Sequence, residues 1–313
     1  MTASPAKTAD AAKTVDEAPV PVKVEDPGDF KNFPELPPKT VDLLVARGIT
    51  SLFPVQYLTF RRILKREDLL VRDLTGSGKT LGFTLPMVET LRKEKLFGGG
   101  KPLAMILAPT RELAIQITKE LEAQKHQPRE FNVLTVYGGV DIWSQTNELR
   151  RGVDIFVGTT GRIKDHMERK NFDFSHLRYA VLDEADIMLN LGFKEDVERI
   201  MGTIKAAGPK DVQAMMFSAT CPSWVQQICR SFMKPNHQML DLVKDLKNKT
   251  SRTVAHLAIN VPYHNRVTAL ADILAVYGAG QSIIFVSTKV EANAYLLSDK
   301  IKKDIEVMHG DIA

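Results

Sequence analysis

Eight residues near the first quarter of the chain carry the clearest chemistry: Asp73-Leu-Thr-Gly-Ser-Gly-Lys79-Thr80. A short apolar run, Leu69 to Val71, precedes them, and a helical pattern from Leu81 to Glu94 follows. Strand, tight turn and helix are what a phosphate-binding loop requires. Thr75, Gly76, Ser77 and Gly78 would bend the backbone so that its N–H groups face a polyphosphate. The positive end of the following helix aims at the same anion. Lys79 would reach the outer phosphates, and the Thr80 hydroxyl would ligate Mg²⁺. One position departs from the usual pattern: Asp73 stands where a small residue is expected. Its carboxylate would repel phosphate unless Arg72 pairs with it or it points away.

About a hundred residues on, Asp183-Glu184-Ala-Asp186 follows the apolar run Tyr179 to Leu182. A carboxylate at a strand end beside a phosphate loop can position Mg²⁺, and Asp183 is the candidate. Glu184 would orient and polarise an attacking water. Lys79, Asp183 and Glu184 are thus the candidate catalytic set. Together the two motifs point to phosphoryl transfer from a nucleoside triphosphate to water. Upstream, Gln56 offers an amide donor and acceptor suited to an adenine edge, with Phe30 able to stack on the ring.

These motifs need a frame, and the pattern supplies one. Short apolar runs at 68–71, 103–108, 131–136, 153–158, 178–182 and 212–217 alternate with helical patterns at 81–94, 112–123, 161–170, 193–204 and 222–233. Strands without polar alternation are buried on both faces, so an α/β fold with a parallel sheet and helices on both faces is expected. Ligands then bind at the carboxyl ends of the strands. There the sequence places Asp73 to Thr80, Thr110-Arg111, Thr159, Asp183-Glu184 and Ser218.

Length and composition agree with such a frame. The 313 residues suggest two domains, and 44% apolar with 26% charged residues is ordinary for a globular chain. No run approaches the ~20 apolar residues of a membrane span. Met1 to Val20 has no apolar secretory core. Cys221 and Cys229 are the only cysteines and lack metal-ligand spacing. An intracellular protein follows. The net charge is +4, with an acidic first thirty residues and a basic remainder that suits an anionic partner.

With these residues in view, the chain resembles the DEAD-box ATP-dependent RNA helicases. Further matching stretches are Gly48 to Gln56 with Phe30, Pro109-Thr-Arg-Glu-Leu-Ala114, Gly138-Gly139, Thr159-Thr-Gly-Arg162, Ser218-Ala-Thr220, Ile284 to Thr288 and His309 to Ile312. Phe217 to Trp224, Ile163 to His166 and Thr253 to Ile259 are most similar to the nucleolar Gu-type members. The resemblance implies a RecA-like lobe followed by an incomplete second RecA-like lobe. The boundaries expected are a disordered leader at 1–29, an ATP-binding lobe at 30–240, a linker at 241–252 and the start of the second lobe at 253–313. It implies ATP and Mg²⁺ as ligands, with Phe30, Gln56 and residues 75–80 around the nucleotide. Asp186, Ser218, Ala219 and Thr220 would couple that site to lobe movement. Pro109, Thr110, Arg111, Gly139, Thr159, Gly161 and Arg162 would contact RNA, mainly along its backbone. Ribonucleoprotein partners and a nuclear or nucleolar residence belong to the same implication.

Two departures accompany the resemblance. Thr160 replaces the usual Pro, which loosens the preset start of its helix. The chain also stops before the family's last two motifs, which carry its arginine finger, so weak turnover by these 313 residues is expected. A non-catalytic RNA- or nucleotide-binding protein, or a P-loop ATPase acting on other substrates, are the alternative readings.

Overall fold

The computed structural model describes residues 26–244, 254–301 and 304–312. Most of the expected leader and linker, 1–25 and 245–252, lies outside them. The chain divides into two compact units, 1–251 and 252–313.

The first unit is built on seven strands: β1 Leu69–Arg72, β2 Ala104–Ala108, β3 Val133–Val136, β4 Ile155–Thr159, β5 Tyr179–Leu182, β6 Gln213–Ser218 and β7 Gln238–Asp241. All pair in parallel, in the order β3-β4-β2-β5-β6-β1-β7. Around them run α1 Pro38–Ala46, α2 Pro54–Leu64, α3 Lys79–Lys93, α4 Arg111–Glu122, α5 Ile142–Arg151, α6 Thr160–Glu168, α7 Ala185–Asn190, α8 Lys194–Ala207 and α9 Ser223–Phe232. The period of two along each strand sorts the apolar residues into two cores. Met105, Leu107, Phe156, Ala180, Leu182 and Met216 enter one. Ala104, Ile106, Ile155, Val157, Val181, Met215 and Phe217 enter the other. This is the doubly covered parallel sheet that the unalternating runs require.

Strand pairing decides which motifs meet. Arg72 of β1 sits beside Ser218 of β6, and Leu182 of β5 beside Met216 of β6. The phosphate loop, Asp183 to Asp186 and Ser218 to Thr220 therefore emerge side by side. Ala108 pairs with Thr159, and β3 flanks β4 on the other side. The segments 109–111, 137–140 and 159–162 thus form a second group on the same sheet edge.

Helix α2 is bound to α3 by one polar contact with a clear cause. Pro86 lies inside α3 and has no N–H to donate to the carbonyl of Gly82. The Thr59 hydroxyl lies 2.8 Å from that carbonyl and 2.8 Å from Val55 O of its own helix, so its one proton is shared between them and partly fills the missing donor's place. We expect Thr59→Val to cost about 1–2 kcal/mol, because it leaves a buried carbonyl unpaired. Thermal or urea unfolding measures this directly.

Two boundaries differ from expectation. Residues 26–29, assigned to the leader, are part of the lobe: Leu52 N–H donates to Gly28 O at 2.8 Å, and Asp29 caps the turn Phe30–Asn32. Strand β7 was not anticipated, and it carries the sheet one residue into the expected linker. Its edge position needs few apolar residues, so Gln238 and Met239 stay exposed and the sequence signal is weak.

The second unit has α10 Arg266–Tyr277 and α11 Lys289–Leu296. The first matches expectation, and the second ends short of Lys302. Strands were expected at 253–261, 282–286 and 305–308, and among the described residues of this unit none forms. Phe285 is 93% exposed and Met308 95%. An extended apolar segment becomes a strand only when a neighbour takes up its backbone N–H and C=O groups, and among the described residues these segments have no such strand partner.

Candidate nucleotide and nucleic-acid site

At the end of β1 the loop turns through Gly76 at φ +77° and Gly78 at φ +86°, a left-handed backbone that glycine adopts without strain. Helix α3 starts at Lys79, so the loop lies across its N-terminus. The Lys79 side chain is 4% exposed, and its ammonium lies 3.6 Å from Glu184 Oε1. It also donates to Asp73 O at 3.1 Å and Leu74 O at 2.9 Å. The Asp73 carboxylate is buried and accepts from the Leu74 N–H at 2.8 Å. Arg72 does not pair with Asp73: its guanidinium bonds Asp241 at 3.1 Å and Ala219 O at 3.4 Å.

Across the loop, Asp183 is buried, and burial first, then the charge of Glu184, pushes its carboxyl up to about 7 against the pull of Lys79. Glu184 follows with φ +50°, an unusual conformation for a non-glycine residue and one found where a site imposes it. Asp186 is held by the neighbouring strand end. Its Oδ2 accepts from Thr220 N–H at 2.9 Å and Thr220 Oγ1 at 2.7 Å, and its own N–H donates to Ser218 Oγ at 3.3 Å. Burial opposes the charge of Asp186, but the Thr220 and Ser218 bonds outweigh it and lower its pKa. Asp186 is therefore hydrogen-bonded to both Ser218 and Thr220, three of the four residues expected to couple the site to lobe movement.

Two buried oxygens here have no hydrogen-bond partner among the described residues, Ser77 Oγ and Glu184 Oε2. A desolvated polar atom without a partner is costly, so both atoms suit a ligand in this cleft. The Thr80 hydroxyl and Asp183 carboxylate are hard oxygen donors, the type Mg²⁺ takes alongside phosphate oxygens. The residues fit a Mg²⁺–triphosphate.

Gln56 joins the upstream segment to the loop. Its Oε1 accepts from Phe53 N–H at 2.8 Å and its Nε2 donates to Gly78 O at 3.0 Å. Both ends of the amide are thus engaged with protein. Phe30 is half-buried and packs against the small core that holds Phe33, Leu36, Leu44, Leu52, Phe60, Leu81 and Leu85. The sequence reading missed Phe53, which is exposed and neighbours Gly78. Its place directly before Pro54, the start of α2, was the available signal.

At the other end of the edge, Thr110 caps α4 through Leu113 N–H, and the exposed Arg111 lies 4.6 Å over the Tyr137 ring. Gly139, Gly161 and Thr110 are exposed, and Thr159 partly so. Two expected RNA contacts are placed otherwise. Pro109 is buried and shapes the strand end. Arg162 turns inward, donating to Gln145 Oε1 at 3.0 Å and Val140 O at 2.9 Å. Thr160 starts α6 buried against Met188, so a packing contact stands where a proline's rigidity was expected.

His166 lies behind Arg162, fully buried, its Nε2–H donating to Gln145 Oε1 at 3.1 Å and its Nδ1 accepting from Asn171 at 2.9 Å. Burial first, then Arg162, lowers its pKa to about 4. The unfolded value is about 6.5, so between those limits the unfolded chain binds a proton that the folded chain refuses. The contribution is complete above about pH 6.5 and is lost as pH falls toward 4, on the order of 2–3 kcal/mol. Unfolding free energies across this range should show the loss, and His166→Gln should remove its share of the slope.

Comparison with known proteins now fits the geometry. The DEAD/DEAH box helicase family model matches residues 53–228, and the chain belongs to that family. Human ATP-dependent RNA helicase DDX50 is 41% identical over 291 residues, covering 91% of this chain and 39% of that protein. Rat nucleolar RNA helicase 2 is 38% identical, covering 95% and 38% respectively. The chain thus spans about two-fifths of the length of these relatives. The solved structure of the DEAD-box helicase Mss116 bound to single-stranded RNA and UDP-BeF superposes with a TM-score of 0.68 at 27% identity, covering 79% of this chain and 51% of that one. The fold is RecA-like. Among the described residues, no helix is long and apolar enough to cross a membrane.

Proposed function

We propose that this chain supplies the ATP-binding lobe of an ATP-dependent RNA helicase that couples hydrolysis to local opening of RNA duplexes or remodelling of ribonucleoproteins. The observation that carries the reading is the junction of β1, β5 and β6. There Lys79 faces Glu184 at 3.6 Å while Asp186 is bonded to Thr220. A phosphate ligand, a water-orienting carboxylate and a coupling link are thereby in one place.

In this reading Gly76, Gly78 and Lys79 hold the triphosphate, and Thr80 and Asp183 hold Mg²⁺, which would neutralise phosphate charge. Glu184 Oε2 orients the attacking water. Gln56 exchanges a protein partner for adenine, with Phe30 as the expected aromatic. Thr110, Arg111, Gly139, Thr159 and Gly161 meet the RNA backbone, giving little sequence preference. The nucleolar relatives support work on ribosomal RNA and residence in the nucleus or nucleolus.

The test is ATP hydrolysis by the 313-residue chain, with and without single-stranded RNA, and with Glu184→Gln as the blank. RNA-stimulated turnover lost in the variant supports the whole reading for this polypeptide. Binding of ATP and RNA without turnover assigns the binding steps here and hydrolysis to a longer protein. Failure to bind ATP overturns the reading.

A further inference from the structure

Arg162 is poorly placed to grip a phosphate. Its side chain is only 10% exposed. Nη1 is spent on Gln145 Oε1 and Nη2 on Val140 O, while Nε faces Asp165 Oδ2 at 3.7 Å. Gln145, itself buried, donates from Nε2 to Tyr137 O at 3.1 Å. Arg162 and Gln145 thus hold the two carbonyls that bracket Gly138 and Gly139. Those glycines have no side chains with which to fix their own turn, and Gly139 sits at φ +83°. Glycine gives up more backbone freedom on ordering than any other residue, so such a turn needs outside fixing. His166 and Asn171 complete the frame. His166 Nε2–H is a second donor to Gln145 Oε1, and Asn171 donates to both His166 Nδ1 and Thr146 Oγ1.

We propose that Arg162 is a positioning residue: with Gln145 it clamps the Gly138-Gly139 turn so that the turn's backbone is preorganised for a sugar–phosphate chain. The inference rests on the RNA-binding reading of this face and deepens it. Direct phosphate contact by arginine then falls to Arg111, whose side chain is exposed. Preorganisation raises affinity by removing the ordering cost at binding, without adding a charge contact.

The two roles separate by salt dependence. Each phosphate neutralised on a single strand adds about 0.7 to the slope of log affinity against log salt. We would measure binding of the full chain to fluorescently labelled single-stranded oligouridine by anisotropy across salt concentrations. The variants are Arg162→Met, Gln145→Leu, the double variant and Arg111→Met, each checked for folding by thermal melting. Backbone amide exchange at residues 138–140 is read on the same proteins without RNA.

The expected result is that Arg162→Met and Gln145→Leu each weaken binding by about 5–10-fold at an unchanged salt slope, the scale of one lost hydrogen bond. The double variant is then no worse than the weaker-binding single, since the two act as one unit. Amides at 138–140 exchange faster in both, and Arg111→Met alone lowers the slope. A lower slope in Arg162→Met, additive losses and unchanged exchange would overturn the proposal. Should Gln145→Leu unfold, Gln145→Glu keeps an acceptor for Arg162 and His166 and replaces the bond to Tyr137 O with carboxylate–carbonyl repulsion. Faster exchange at 138–140 in that variant supports the clamp, and unchanged exchange contradicts it. A wild-type chain that binds no RNA defeats the RNA-binding reading, while the exchange data still decide whether the clamp exists.

Discussion

Lys79→Ala should lower the affinity for ATP about 100-fold while leaving the fold intact. The ammonium is buried and already aimed across the loop, so its attraction to phosphate acts with little water to screen it. A charge-assisted hydrogen bond is worth about 1.5–3 kcal/mol, and its loss corresponds to roughly 10–150-fold in binding. Before nucleotide arrives the same group bonds two carbonyls of its own loop, Asp73 O and Leu74 O, and pairs with Glu184. Those contacts hold it ready. Titration with a fluorescent ATP analogue measures the loss, and melting without nucleotide checks the fold. Equal affinity in wild type and variant would remove Lys79 from the phosphate site.

Arg92→Met should be the most destabilising substitution at a polar position considered for the lobe, costing about 3–5 kcal/mol. Arg92 lies near the end of α3, and its Nε and Nη2 bind both oxygens of Glu130, at 2.6 and 3.1 Å. Its Nη1 pairs with the buried Glu89, and Nη2 also reaches Gln124 O at 2.8 Å. Glu89 in turn accepts from Thr40 Oγ1 of α1 at 2.6 Å. Burial opposes the charge on Arg92, yet Glu130 and Glu89 more than compensate and raise its pKa. Removing the cation leaves two carboxylates facing each other with little water, which is why breaking the cluster costs more than the cluster contributes. The melting temperature should fall by roughly 10 °C for a lobe of this size. Arg92→Met combined with Glu130→Gln should recover part of the loss. A full-strength fold in the single variant would show that water reaches these carboxylates.

The sheet was legible because its strands are continuous apolar runs separated by helical periods, a pattern that survives without tertiary knowledge. The phosphate loop, Asp183, Glu184 and Asp186 were legible because their chemistry demands strand ends, and the strand order then brought them together. Helix α5 was not legible, although Asp141 caps it. It is short and mostly polar, so its buried Gln145 and Thr146 left no apolar stripe to read. The clamp on Arg162 was hidden for the same reason: Gln145, His166 and Asn171 become a network only once folding brings them behind one turn. The strands expected in the second unit failed for the opposite reason. Apolar pattern reports what a segment could bury, while forming a strand depends on a neighbour elsewhere.

The central claim is that the junction of β1, β5 and β6 holds a Mg²⁺–triphosphate. A crystal structure of the chain soaked with a non-hydrolysable ATP analogue and Mg²⁺ tests it most directly. The account predicts the triphosphate over Gly76 to Thr80, Lys79 moved from Asp73 O and Leu74 O to phosphate oxygens, and the Gln56 amide turned from its protein partners to adenine. A nucleotide bound elsewhere, or a loop unchanged at saturating analogue with Lys79 still on its own carbonyls, would contradict it.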